Sequence, residues 1–431
     1  MSRLGEDSNK NNNGETNKAV SKSREASKYM LEIIVSDPQK QVGDQTSSSS
    51  YVTYQVSTKT NNPSYLKNHG VNKNRSDEII VVHRRFSDLQ LLYNILSNDH
   101  PTCIVPPLPD KKVFQYIAGD RFGTSFTQKR CRSLQNFLRR IASHPILYKS
   151  SVLEMFLVSN DWDVYRKSLS GNVQLNKDEM TDVFMNAFKT VHNQSEEFTE
   201  IKDKSEKLEN NVNKIDKVFH KIVKKQDSIS EDYFKISKNL QELQELVSNE
   251  NEALSQKLRI FSEGIRKLSY GMNDLNKYID YEYIVDLKDL EHYISSMKQL
   301  IKLKDQKQID YEELSDYLTK SINEKNNLIS GYYSSSNFLT NKLEEIAGIN
   351  QESSRRDKID KLEKKINALT MEVENAKKIS DAFEIETLKE VELFESTKTT
   401  ELRGSLSSLA DHHIDFYQKM LDTWVQIDES L

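Results

Sequence analysis

The residues best equipped for chemistry lie between positions 83 and 111. His83-Arg84-Arg85-Phe86-Ser87-Asp88-Leu89 closes an apolar run, and Pro106-Pro107-Leu108-Pro109-Asp110-Lys111 follows further on. Two adjacent guanidinium groups, an aromatic ring and a lysine on a proline-stiffened turn are suited to holding a phosphorylated ring. Arginine presents a planar fork that grips phosphate bidentately, lysine presents a point charge, and an aromatic face packs against a sugar-like ring. The plainer reading is a solvated strand end, where many surface arginines sit. Charge distribution favours the phosphate reading. From Ile79 to Lys149 there are 11 Lys and Arg against 4 Asp and Glu, a local +7 in a chain of net charge -5, which leaves -12 elsewhere. A basic segment inside an acidic protein is a candidate anion-binding face.

The elements that must carry these groups can be read on both sides of them. Residues 1–27 are rich in Asn, Ser, Lys and Glu and have almost nothing to bury, so they are expected to be a disordered tail. Tyr29 to Val35 reads as a strand ended by Asp37-Pro38. Tyr51 to Thr58 alternates Val52, Tyr54 and Val56 with polar neighbours, and Ile79 to Val82 runs into the arginine pair. Ser87 or Asp88 can cap a helix that carries Leu89, Leu92, Tyr93 and Leu96 on one face. A second helix spans about Thr127 to Ser143, with Leu134, Phe137, Leu138 and Ile141 inward and Lys129, Arg130, Arg132, Arg139 and Arg140 among its polar positions. Pro145 ends it, and residues 151–158 add a short amphipathic helix. Val113, Phe114, Tyr116 and Ile117, beside the basic turn, are either core or a wedge that dips into lipid.

All seven prolines fall in the first 145 residues, and the 286 that follow contain none. Proline inside a helix costs about 3 kcal/mol, so this tract is expected to form long helices. Its apolar residues step by four and three. Leu208, Val212, Ile215, Phe219 and Ile222 resume at Ile229 and run to Val247; a second series goes from Leu254 to Ile279 and resumes, after one extra step of four, at Tyr283. A third starts at Ile359 and ends near Met420. Such spacing buries one seam per helix, so the heptad residues are expected to be core, and the extra step near Ile279 is expected to change the local winding. Residues 331–354 lack a seam and read as a tip connection. Helices of ~65 to 75 residues would reach roughly 100 Å, a rod thin enough to leave seam exposed unless it pairs with another.

Several functions are disfavoured. There is no GxxxxGK[ST] loop, GxSxG elbow or HExxH pair, so no catalytic residues are assigned and no enzyme is expected. Cys103 and Cys131 have no metal-ligand spacing, and His412-His413 have no companion ligand; no metal or cofactor is expected. No apolar run approaches the ~18 residues needed to cross a bilayer. With 36% hydrophobic and 29% charged residues and a mean hydropathy of -0.71, the composition suits solvated helices. Most lysines on the long helices, Lys217, Lys221, Lys224 and Lys225 among them, read as an ordinary charged coiled-coil face.

The order of strand, Arg-Arg-Phe, helix, Pro-Pro-Leu-Pro-Asp-Lys, helix and proline-free tract resembles the sorting nexins that join a PX domain to a BAR domain. That resemblance implies an α+β PX domain, a three-stranded antiparallel sheet with helices, over residues 28–160, a linker over 161–177, and an all-α three-helix BAR coiled coil over 178–431. It implies phosphatidylinositol 3-phosphate as ligand. Arg85 would hold the 3-phosphate, Phe86 would stack on the inositol ring, Lys111 would contact the 1-phosphate region and Arg130 the ring hydroxyls. Arg84 would be structural or auxiliary. Val113, Phe114, Tyr116 and Ile117 correspond to the family's membrane-inserting loop. By the same resemblance the partners are membranes bearing that lipid, a second copy or a related sorting nexin as dimer partner, and the autophagy machinery, with no nucleic acid. The implied role is endosome-to-Golgi retrieval and selective autophagy on the cytosolic face of endosomes and the pre-autophagosomal structure. The rival is a coiled-coil scaffold or tether whose N-terminal module binds a protein ligand.

Overall fold

The computed structural model describes residues 30–41, 50–63, 65, 79–109, 123–170, 191, 195–330 and 351–430. The chain divides into two compact units, one of residues 1–96 with 110–168 and the other of 97–109 with 169–431.

In the first unit, β1 (Leu31–Gln41), β2 (Tyr51–Thr60) and β3 (Ile80–Arg85) form an antiparallel sheet in that order, with Val35 opposite Val56 and Val56 opposite Val82. Side chains alternate across a pleated sheet. Ile33, Val35, Tyr54, Val56, Ile80 and Val82 therefore share one buried face, and the same parity carries Arg84 inward. Asp37-Pro38 does not end β1, contrary to the sequence reading. The register shifts between Ser36 and Gln39, and Asp37 takes a φ of 47° that absorbs the extra residue. Proline is tolerated there because β1 is an edge strand at a bulge.

The buried face is covered by helices. α1 (Phe86–Asp99) contributes Leu89, Leu92, Ile95 and Leu96, and α2 (Thr124–Ser143) contributes Leu134, Phe137, Leu138 and Ile141. α3 (Ser151–Val158) adds Leu153, Phe156 and Leu157. Burying each such side chain contributes about 1.5–3 kcal/mol. Gln135 of α2 also completes the free edge of β1, donating to Ile33 O at 2.6 Å and accepting from Val35 N. Within the stretch read as a linker, Trp162–Ser170 forms a further helix, α4.

The second unit consists mainly of long helices. α5 (Glu196–Val247) turns through residues 248–251 into α6 (Glu252–Tyr278), whose cap Asn251 accepts from Leu254 N at 3.0 Å. Ile279–Tyr283 is a π turn, followed by α7 (Ile284–Ser330); α8 spans Gln351–Ser430. The π turn falls where the apolar series takes its extra step, since one inserted residue per turn is how a helix absorbs a break in heptad phase. Positions 351–354, read as part of a tip, belong to α8.

The heptad residues are only partly core. Ile279, Leu290, Ile294, Met297 and Ile301 are buried, whereas Ile215, Ile229, Ile236, Leu243, Leu254 and Leu406 are exposed. Between α5 and α6 the closest line of contact is instead polar. Ser230 and Ser269 exchange hydrogen bonds through Oγ and carbonyl (2.8 and 2.7 Å), as do Ser237 and Ser262 (2.9 and 2.8 Å). Gln244 donates to Ser255 Oγ at 2.8 Å, and Asn276 donates to Val223 O at 3.0 Å. Small side chains let the backbones approach, and the larger residues beside them turn outward. Gly264 meets α8 in the same way: a Cβ there would lie 2.2 Å from Ile427 Cδ1.

Residues 97–109 pack within this unit. Ile104 joins Phe198, Tyr293, Ile294 and Phe394 in one apolar cluster, and its N–H donates to the Glu390 carboxylate at 2.8 Å. Burial and the neighbouring Glu390 push the Cys103 thiol up to about 12.

Candidate functional site

The sheet decides which arginine is available for binding. Successive residues of a strand face opposite ways. Arg84, opposite Tyr54, points into the first unit and is 3% exposed. Its Nε donates to Phe156 O at 2.9 Å and its Nη1 to His83 O at 3.0 Å, while Nη2 donates to Ser159 O. The guanidinium lies 5.3 Å from the Phe156 ring centroid and 5.5 Å from that of Trp162. Burial lowers its pKa to about 10, with Asp88 and Asp163 opposing the fall. Arg84 is therefore a clamp that ties β3 to α3 and to the chain entering α4.

Arg85, one residue on, has a side chain 30% exposed, with its guanidinium 5.8 Å from the Tyr51 ring centroid. The helix starts at Phe86, earlier than a cap at Ser87 or Asp88 would require. Asp88 reaches backward instead, accepting from Arg85 N at 2.9 Å, the reciprocal half of a capping box. Its other oxygen lies 3.4 Å from Arg85 Nε. The buried carboxylate thus fixes both the start of α1 and the base of the Arg85 side chain.

Phe86 and Arg130 come together. The Arg130 guanidinium lies 4.5 Å from the Phe86 ring centroid and 4.3 Å from that of Phe126, one turn before it on α2. Stacking of this kind holds a planar cation in a fixed orientation. The Tyr54 hydroxyl lies beside the guanidinium, and burial raises the tyrosine to about 12 while lowering Arg130. Arg130 Nε has no hydrogen-bond partner among the described residues. A buried, oriented cation with an unspent donor is unusual, since an orphaned donor costs about 1–3 kcal/mol. Chemically, that N–H is a donor open to an acceptor oxygen.

Of the residues expected to bind, the structure brings Arg130 onto Phe86 where β3 passes into α1, while the side chain of the preceding Arg85 lies against Tyr51, Asp88 and Asp163. Lys111, Val113, Phe114, Tyr116 and Ile117 lie outside the described residues. Four contributors escaped the sequence reading. Tyr51 and Tyr54 were read as strand residues only, and Asp163 and Arg166 fell in the stretch read as linker. Arg166 Nη2 lies 2.9 Å from Asp163 Oδ1, which is itself 3.7 Å from Arg85 Nη2. An acid and a base three residues apart behind a tryptophan, Trp162-Asp163-x-x-Arg166, was the available signal. Among the described residues no helix is long and apolar enough to cross a membrane.

Comparison with known proteins agrees with this fold. The PX domain family matches residues 72–160. Sorting nexin-4 of Saccharomyces cerevisiae is 66% identical over 98% of this chain and 99% of its own length. Sorting nexin-4 of Eremothecium gossypii is 63% identical over 93% of this chain and 97% of its own. Among solved structures, the cryo-EM structure of the SNX-BAR Mvp1 tetramer covers 92% of this chain and 99% of that one, with a TM-score of 0.54 at 16% identity, which speaks to fold.

Proposed function

This chain belongs to the sorting nexins, membrane-associated proteins that join a PX domain to a BAR-type helical region, and from that premise we propose that it is a non-enzymatic adaptor for membranes bearing phosphatidylinositol 3-phosphate. The observation that supports the reading is the stacking of Arg130 on the Phe86 ring, beside Arg85 in the chain, with Arg130 Nε unspent. Arg85 grips the 3-phosphate through its fork, and Arg130 donates to the ring hydroxyls. Phe86 has a second task beside the inositol ring, since its face also orients Arg130. Lys111 completes the site at the 1-phosphate, and Val113, Phe114, Tyr116 and Ile117 enter the lipid beside it.

The helical region supplies the rest of the adhesion. Val218, Ile385 and Ile414 are 52%, 55% and 66% exposed. Apolar side chains in this number are covered in a dimer, either of two copies or with a related sorting nexin. Two weak headgroup sites on one dimer bind a membrane more tightly than either alone. The setting is the cytosolic face of endosomes and the pre-autophagosomal structure, and the process is endosome-to-Golgi retrieval together with selective autophagy, through contacts with the autophagy machinery. Arg85→Ala tests the lipid site. Sedimentation with phosphatidylcholine vesicles should fall to the level of lipid-free controls only where phosphatidylinositol 3-phosphate had been present. Binding that is unchanged by the substitution refutes the site and favours a protein ligand.

A further inference from the structure

Trp162 opens α4 and is 2% exposed, meeting the Phe156 ring edge-on at 5.2 Å. With that residue seated, the first turn of α4 brings Asp163 and Arg166 to Arg85. Asp163 Oδ1 lies 2.9 Å from Arg166 Nη2 and 3.7 Å from Arg85 Nη2; Asp88 Oδ1 lies 3.4 Å from Arg85 Nε and 4.0 Å from Arg166 Nη1. Two guanidinium groups therefore share two carboxylates, but the carboxylates differ. The Asp88 side chain is 8% exposed and holds the start of α1, whereas that of Asp163 is 73% exposed and stands beyond hydrogen-bond length from Arg85.

We infer that Arg166 is a second phosphate-gripping residue of this pocket, and that the Asp163 carboxylate occupies the place of phosphate oxygens until a phosphomonoester displaces it. This deepens the lipid reading above and rests on it. A phosphomonoester carries about -1.5 to -2 charge and three acceptor oxygens, so it satisfies two guanidinium forks better than one carboxylate does. Asp163 can rotate into solvent without disturbing α4, whose hold on the first unit is Trp162. An exposed pair of this kind changes an equilibrium by a factor of only about 1.5 to 5. Asp163 is therefore a threshold and not a lock: a ligand that engages both guanidinium groups must displace it, and one that does not engage them is indifferent to it.

The test uses the full chain and phosphatidylcholine vesicles with and without phosphatidylinositol 3-phosphate, for Asp163→Asn, Arg166→Ala, the two combined, and Arg85→Ala. Arg166→Ala should weaken binding about tenfold or more, the loss of a charge-assisted bond. Asp163→Asn should strengthen it about 1.5- to 5-fold, and that gain should shrink when Arg166 is already alanine. On vesicles with phosphatidylserine in place of the phosphoinositide, Asp163→Asn should gain nothing. Soluble inositol 1,3-bisphosphate should compete with the same ranking of variants, and inorganic phosphate at equal concentration should not. If Arg85→Ala abolishes binding while Asp163→Asn and Arg166→Ala leave it within a factor of about 1.5, a change smaller than one exposed pair is worth, the inference is overturned and the lipid reading stands. It is overturned too by an equal gain on phosphatidylserine or equal competition by inorganic phosphate. Loss of all effect from Arg85→Ala removes the lipid reading itself.

Discussion

Replacing each member of the arginine pair by methionine should produce opposite phenotypes. Arg84→Met keeps an apolar stem but deletes donors to Phe156 O and Ser159 O and the cation over the Phe156 and Trp162 rings. Leaving the buried Phe156 carbonyl unpaired costs about 1–3 kcal/mol and the half-buried Ser159 carbonyl somewhat less, and relief of the desolvation that holds Arg84 near pKa 10 offsets part of it. A net loss of about 2–4 kcal/mol remains, equivalent to a fall of roughly 10 °C in the melting of the first unit. Arg85→Met removes contacts at 3.4 and 3.7 Å from a side chain 30% exposed and should cost no more than about 1 kcal/mol. Scanning calorimetry reads the two transitions, and hydrogen exchange should show faster exchange of the α3 amides in Arg84→Met alone. Phosphoinositide binding should be lost in Arg85→Met with the fold intact. The reasoning fails if Arg84→Met melts within about 2 °C of the parent, well short of that shift, or if Arg85→Met is the less stable of the two.

Other perturbations act on the helical unit. Ser237→Leu forces a large side chain between α5 and α6 where Ser262 approaches to 2.9 Å, and should destabilise by about 1–3 kcal/mol in denaturant titration, whereas the double change Ser237→Ala with Ser262→Ala should be near neutral. Gly264→Ala sets a Cβ against Ile427 and should lose about 1–3 kcal/mol, with partial recovery on Ile427→Val. Lys298, through its hydrogen bond, holds the Glu209 carboxyl below its ordinary 4.5. The tie between α5 and α7 is thus at full strength above pH 4.5 and is lost as pH falls through the lower folded value; Glu209→Gln should flatten that part of the stability curve. Cys103, pushed up to about 12, should resist iodoacetamide at neutral pH, and Glu390→Ala, which frees Ile104 N, should speed its alkylation.

Much of this protein is written in local periodicity. Alternation in Tyr51 to Thr58 and Ile79 to Val82 is a matter of side-chain parity, and the absence of proline after residue 145 leaves long helices as the low-cost backbone. The break in heptad phase at Ile279 could likewise be counted, and a π turn stands there. The serine ladder is countable too: Ser230 and Ser237, with Ser262 and Ser269, repeat every seven residues. An apolar count follows the bulky neighbours instead, which is why Ile229 and Ile236 were assigned to a core they only flank.

Other features depend on contacts between residues remote in sequence. That Arg84 is a clamp follows from the carbonyls of Phe156 and Ser159, more than seventy residues away. That Arg130 stacks on Phe86 follows from Gln135 latching α2 to β1. Asp163 and Arg166 gain meaning only because Trp162 is buried against Phe156. Residue types and spacing determined which chemistry was available; the packing of distant segments decided which charges face a ligand, because burial and orientation are properties of neighbours that the chain order does not name.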